Sequence, residues 1–117
     1  MSGSQYEVGR RVEWAVVANL TENGYECTRA ASSKGVADVI AFKPGQCLLV
    51  NVKRTTPPGP AERADLIRVA GYVAALPLVA LKPKGQPIAY RLLTGVGPAD
   101  WNVWTPDELD PTEGDPR

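Results

Sequence analysis

The 117-residue chain contains no histidine. That removes the commonest general base, the usual zinc ligand and every Ser-His or Cys-His nucleophile pair. Catalysis would have to come from carboxylates, lysine, hydroxyls or a metal held through oxygen. Cysteine is scarce too. Cys27 and Cys47 are the only two, too few for a disulfide framework, and without a C-x-x-C spacing they suggest no zinc site. Apolar runs are broken by Lys, Pro or Gly well before the ~20 residues a bilayer requires, and the N-terminus lacks the apolar segment of a signal peptide. The expectation is an intracellular, cytoplasmic protein without membrane contact. No glycine-rich phosphate loop is present, so no nucleotide cofactor is expected.

What remains is ordinary for a soluble domain: 44% hydrophobic and 22% charged residues argue against disorder except at the ends. The length fits one domain, read here as residues 1–105, followed by a Pro-rich acidic tail over 106–117. Net charge is zero, which by itself argues against a nucleic-acid partner. Its distribution points the other way. Five of the thirteen acids and one of the thirteen bases follow Thr105, leaving twelve bases against eight acids before it. A mildly basic body with an acidic tail is compatible with DNA.

Val8, Val12, Ala15, Val16 and Leu20 recur at helical spacing over residues 5–22, and Ser4 stands three residues before Glu7, the capping-box spacing. Gly24 ends that helix. Strands are expected over 25–30, 36–42 and 46–53, the last two joined by the tight turn Lys43-Pro44-Gly45. The run TTPPGP over 55–60 can be neither helix nor central strand, because its prolines remove donors and fix φ. Pro60 suits the start of a second helix reaching Ala75, with Leu66, Val69, Ala70 and Val73 on its apolar face. Two more strands are expected over 77–81 and 88–92. The order α-β-β-β-α-β-β predicts an α/β domain with a central mixed five-stranded sheet flanked by helices.

The segment DVIAFKPGQCLLVNVKR, residues 38–54, carries the candidate chemistry. Residues two apart on a strand share a face, so Asn51 and Lys53 point together and Val50 and Val52 point away from them. Antiparallel pairing through the Lys43-Pro44-Gly45 turn brings Asp38 level with Asn51, which would gather an acid, an amide and an amine at one edge. Such a set suits metal-assisted hydrolysis. Mg²⁺ favours carboxylate and carbonyl oxygens and commonly needs one or two carboxylates plus a substrate phosphate, while a nearby Lys orients water or stabilises developing charge. Taken singly, each residue has a plainer reading: Asp38 as a strand-end residue, Lys53-Arg54 as solvated charge, Glu13 as a surface helix residue, Ser32 and Ser33 as a turn. Trp14, Trp101 and Trp104 are assigned to packing.

In order along the chain, Gly9-Arg10-Arg11-Val12-Glu13, Arg29-Ala30-Ala31-Ser32-Ser33-Lys34-Gly35, Asp38 and Asn51-Val52-Lys53 resemble the archaeal-type Holliday junction resolvases of the PD-(D/E)XK nuclease superfamily, from about residue 6 to residue 93. The resemblance implies a restriction-endonuclease-like core and an Mg²⁺-dependent endonuclease, with Mn²⁺ as substitute. It further implies a homodimer whose two sites cut opposed strands of a four-way junction. It makes Glu13 the helix carboxylate, Asp38 the strand metal ligand and Lys53 the catalytic lysine, with Glu13, Asp38 and Asn51 together holding the metal. Ser32 or Ser33 would be the turn serine near the scissile phosphate, and the Val52 carbonyl a further ligand. Where the family's tripeptide has Glu, this chain has Asn51, whose amide oxygen can ligate a hard cation but brings no charge; Glu13 or Glu7 would compensate. Arg10, Arg11, Arg29, Ser33, Lys34 and Arg54 are the expected phosphate contacts, positioning DNA without reading its sequence. Two other functions remain open: a nuclease for another branched, nicked or linear DNA, and a degenerate nuclease fold that binds DNA without cutting it. A regulatory protein docking through its acidic tail has little in its favour.

Overall fold

The computed structural model describes residues 4–30 and 36–106, with side chains from residue 10 onward. Ser32, Ser33, Lys34 and the acidic tail from residue 107 lie outside the described residues, as does the side chain of Glu7.

Helix α1 spans Ser4–Glu22. Its buried stripe is Val12, Val16 and Leu20, spaced four apart so that they stack on one face. The helix closes with Gly24 at φ 93°, its N–H bonded to the Thr21 carbonyl and the Tyr25 N–H to the Leu20 carbonyl. This is a Schellman stop, in which glycine takes the left-handed conformation without a Cβ penalty.

Strands β1 (Glu26–Arg29), β2 (Val39–Lys43) and β3 (Gln46–Lys53) form an antiparallel meander. The β2–β3 turn pairs Lys43 with Gln46. Pro44 fixes φ near −65° at its first central position and Gly45 takes φ 76° at the second, the φ signs of a type II turn. Helix α2 (Pro60–Tyr72) then carries the chain across, so that β4 (Leu76–Leu81) lies parallel to β3, and β5 (Ala89–Leu93) and β6 (Trp101–Trp104) return antiparallel.

The sheet is mixed, in the order β1-β2-β3-β4-β5-β6, with a helix on each face. Val12, Val16 and Leu20 of α1 pack on Val39, Ala41, Leu48, Val50, Leu78 and Ala80. On the other face, Leu66 and Ala70 of α2 pack on Leu49, Val79, Leu81 and Leu93. β3 is thus covered on both sides, which explains its nearly unbroken apolar run.

The architecture is the expected α/β one, with six strands instead of five. The additional strand, β6, is four residues long; Trp104 packs on the α1 side and edge-to-face with Tyr90 at 5.3 Å, while Trp101 joins the α2 side. Trp101 and Trp104 therefore pack as expected, but Trp14 is half exposed, with the Arg29 guanidinium 5.0 Å over its ring. β2 begins at Val39, not Val36. Ala37 and Val39, two residues apart, pack on opposite faces of the sheet, so the regular pleat cannot extend back past Val39. α2 stops at Tyr72 instead of Ala75, because the chain turns at Ala74 with φ 56°.

Candidate active site

The site lies at the ends of two interior strands, where β2 begins and β3 finishes, and not at an edge of the sheet. Val39↔Val50 is the last registered pair. One residue further, the Asp38 N–H still donates to the Val50 carbonyl at 2.8 Å, and the Asp38 carbonyl accepts from the Ala30 N–H at 3.0 Å. The backbone of Asp38 is thereby fixed on both sides. β3 continues past this point, which would leave the Val52 N–H without a ladder acceptor. Asp38 Oδ2 accepts it at 2.7 Å. Along a strand, N–H and C=O groups of alternate residues face the same neighbour, so the Val52 carbonyl is turned to the Asp38 side as well.

Asn51 and Lys53 occupy the face of β3 that looks toward α2. Asn51 is 3% exposed. Its Nδ2 donates to the Val36 carbonyl at 3.0 Å and to Glu62 Oε2 at 3.3 Å. Its Oδ1 is buried and has no hydrogen-bond partner among the described residues, a condition that costs roughly 1–3 kcal/mol. Lys53 Nζ lies 3.3 Å from the same Glu62 Oε2. Glu62 stands in the first turn of α2, two residues after the Pro60 that starts it.

Glu13 reaches the site from α1. Its Oε1 accepts from Arg29 Nε at 3.1 Å and Nη2 at 2.8 Å, an ion pair whose members are about a quarter exposed. Burial raises the Asp38 pKa above its ordinary 3.8, the Val52 N–H opposes the rise, Glu13 adds to it, Lys53 opposes it and Glu62 adds to it. Carboxylates from both helices therefore act on Asp38.

The structure thus brings Asp38, Val52, Asn51, Lys53 and Glu13 around one strand end. Arg29, expected on phosphate, is paired with Glu13. Arg10 is exposed on α1. Arg11 and Arg54 line a cleft of about 400 Å³ together with Lys82 and Lys84. This cleft begins one residue from Glu13 and one from Lys53, and none of its four bases has a carboxylate partner among the described residues. A cleft of about 490 Å³ near Asn19, Tyr90 and Trp104 contains none of the expected site residues.

Three contributors escaped the sequence reading. Lys82 and Lys84 fall in the turn after β4, whose nearness to Lys53 follows from the parallel register Lys53↔Leu81 and the Lys82 N–H bond to the Lys53 carbonyl. Glu62 had one available signal, an acid in the first turn of the helix that follows the candidate strand, but such acids occur wherever a helix dipole favours them.

Among the described residues, no three His, Cys, Asp or Glu side chains cluster closely enough to form a ready-made metal cage. The donors present are nonetheless those a hard cation takes: the carboxylate of Asp38, a backbone carbonyl and the unsatisfied amide oxygen of Asn51, with room for substrate phosphate as the rest.

A mixed sheet of this order with one helix on each face, carrying an acid and a lysine at the ends of paired strands, is consistent with an α/β nuclease fold. The Holliday junction resolvase of the archaeal hyperthermophile Archaeoglobus fulgidus shares it, with a TM-score of 0.62 over 70% of each chain at 23% identity. The family model for archaeal Holliday junction resolvase (hjc) matches residues 4–115, and the chain belongs to that family of junction-resolving nucleases. No curated protein matches it.

Proposed function

We propose that the protein is an Mg²⁺-dependent, structure-selective endonuclease that resolves four-way junctions as a homodimer, with Mn²⁺ as an effective substitute. The observation that carries this reading is the hydrogen bond from the Val52 N–H to Asp38 at 2.7 Å, which fixes a carboxylate beside the strand that bears Lys53. The reaction is hydrolysis: one P–O bond to water forms, one P–O ester bond breaks, and the leaving oxygen takes up a proton. Bound Mg²⁺ would be held by Asp38, the Val52 carbonyl and the Asn51 amide oxygen, and would supply charge stabilisation at the phosphate.

The chain's own groups do the rest. Asp38 is fixed through its backbone and one carboxylate oxygen, leaving the other oxygen as a ligand. Lys53, about a third exposed, presents its ammonium to the phosphate and attacking water, and stabilises charge that develops on phosphorus-bound oxygens. Glu13 holds Arg29 against the same strand end. Arg11, Arg54, Lys82 and Lys84 supply sequence-independent phosphate contacts along the adjacent cleft, which suits selection by shape. Ser32, Ser33 and Lys34 belong to this reading through the family resemblance.

Lys53→Ala is expected to lower junction cleavage by about 10²-fold or more while leaving junction affinity within about twofold, since one phosphate contact among several is lost. Gel-shift and single-turnover cleavage on the same four-way DNA measure both. Equal cleavage by the variant removes Lys53 from the mechanism. Faster cutting of flaps or plain duplex than of junctions would redirect the substrate within the nuclease class. DNA binding without turnover on any substrate would support the non-catalytic reading that neutral Asn51 raises.

A further inference from the structure

Asn51, the neutral first residue of the Asn51-Val52-Lys53 run at the end of β3, is almost wholly buried. Its amide nitrogen is committed: it donates to the Val36 carbonyl and to Glu62 Oε2. Exchanging the amide's oxygen and nitrogen would set Oδ1 against a carbonyl and a carboxylate, both acceptors, so the hydrogen-bond pattern fixes the orientation. Asn51 therefore holds a carboxylate by donation. Glu62 is also tied to Lys53 at 3.3 Å by the same oxygen, which leaves Oε1 for another partner. Its side chain is 44% exposed, so an ion or a phosphate-bound water can reach it.

We infer that Glu62, delivered by the first turn of α2, is a second acidic metal ligand beside Asp38, with Asn51 as the amide that positions it. Two observations beyond the helix start support this: the buried, unpartnered Asn51 Oδ1 beside it, and its contact with Lys53. The amide on the strand and the acid on the helix together place one carboxylate next to Lys53. The inference rests on the metal-dependent nuclease reading above.

Three chains test it: wild type, Glu62→Gln, and the double variant Asn51→Glu/Glu62→Gln, which moves the acid from helix to strand and an amide from strand to helix. Mn²⁺ binding without DNA, followed by calorimetry or by the paramagnetic signal of free Mn²⁺, is read beside junction cleavage. Glu62→Gln is nearly isosteric at a half-exposed position, and circular dichroism checks that it folds. The expected result is a loss of at least about tenfold in Mn²⁺ affinity for Glu62→Gln, a parallel loss of cleavage, and recovery of Mn²⁺ binding in the double variant. If wild type binds Mn²⁺ and cleaves, and Glu62→Gln matches it in both, Glu62 only neutralises Lys53 and the inference is overturned while the nuclease reading stands. Wild type that neither binds Mn²⁺ nor cleaves any DNA overturns both. Should the double variant misfold, the single variant decides through Mn²⁺ affinity alone.

Discussion

Asp38 lies partly out of water at a strand end, and that burial, with Glu13 and Glu62 adding like charge, outweighs the Val52 N–H and Lys53 in raising its pKa. The folded state therefore resists ionising a group that the unfolded chain ionises freely. For a carboxylate raised in this way, the contribution to stability is full below the unfolded value of 3.8 and is lost as pH rises through the folded pKa. Above the folded pKa the ionised Asp38 is a net cost. Asp38→Asn keeps an acceptor for the Val52 N–H and removes the charge. In chelator at about pH 7, its melting temperature should equal or exceed that of wild type by a few degrees, and the gap should close as pH approaches about 4. A lower melting temperature at neutral pH would contradict this account. Cleavage, by contrast, should vanish, the usual exchange of stability for function at a charged site.

At the scale of elements, the two helices have different tasks. α1 supplies the packing stripe and Glu13; α2 supplies the parallel crossover and Glu62. The end of α2 is less well made than its start. Ala75 N–H bonds to the Ala70 carbonyl at 2.9 Å, as the closing bond of a Schellman turn does, but the left-handed position is Ala74 at φ 56° where α1 has Gly24. A left-handed alanine costs roughly 1–2 kcal/mol, and glycine returns part of that gain as chain entropy. Ala74→Gly should stabilise the protein by about 0.5–1 kcal/mol in urea denaturation, with the slope unchanged and cleavage unaffected; a loss of stability would mean that the turn carries no strain.

These elements also show how far the sequence could be read. β3 matched its expected bounds because an apolar run between a Pro-Gly turn and a proline-rich loop has few alternatives. α1 was legible because Val12, Val16 and Leu20 repeat every four residues. The pairing of Asp38 with β3 followed from the turn length. The start of β2 was not legible, since the switch of Ala37 and Val39 to opposite faces depends on tertiary packing. β6 was missed because four residues give no period to detect. Glu62, Lys82 and Lys84 become neighbours of Lys53 only through the crossover and the register of β4, which no local pattern encodes.

For the whole molecule, zero net charge conceals a division of labour. Asp38 stands where two strands end, with Glu13 from α1 and Glu62 from α2 each raising its pKa, and the bases Arg11, Arg54, Lys82 and Lys84 line one cleft without carboxylate partners among the described residues. A phosphate backbone lying in that cleft would be held by cations while one phosphodiester sits against the acids and Lys53. The described residues include no helix long and apolar enough to cross a membrane. Family membership makes a branched DNA the substrate to test first, with hydrolysis at Asp38 and Lys53 proposed to need a divalent cation. The most direct measurement is cleavage of an immobile four-way junction, with strands labelled in turn, in Mg²⁺, in Mn²⁺ and in chelator. Paired cuts in opposed strands are expected with either cation and none in chelator. Cleavage that persists undiminished in chelator, or an intact junction in both cations, would contradict that proposal.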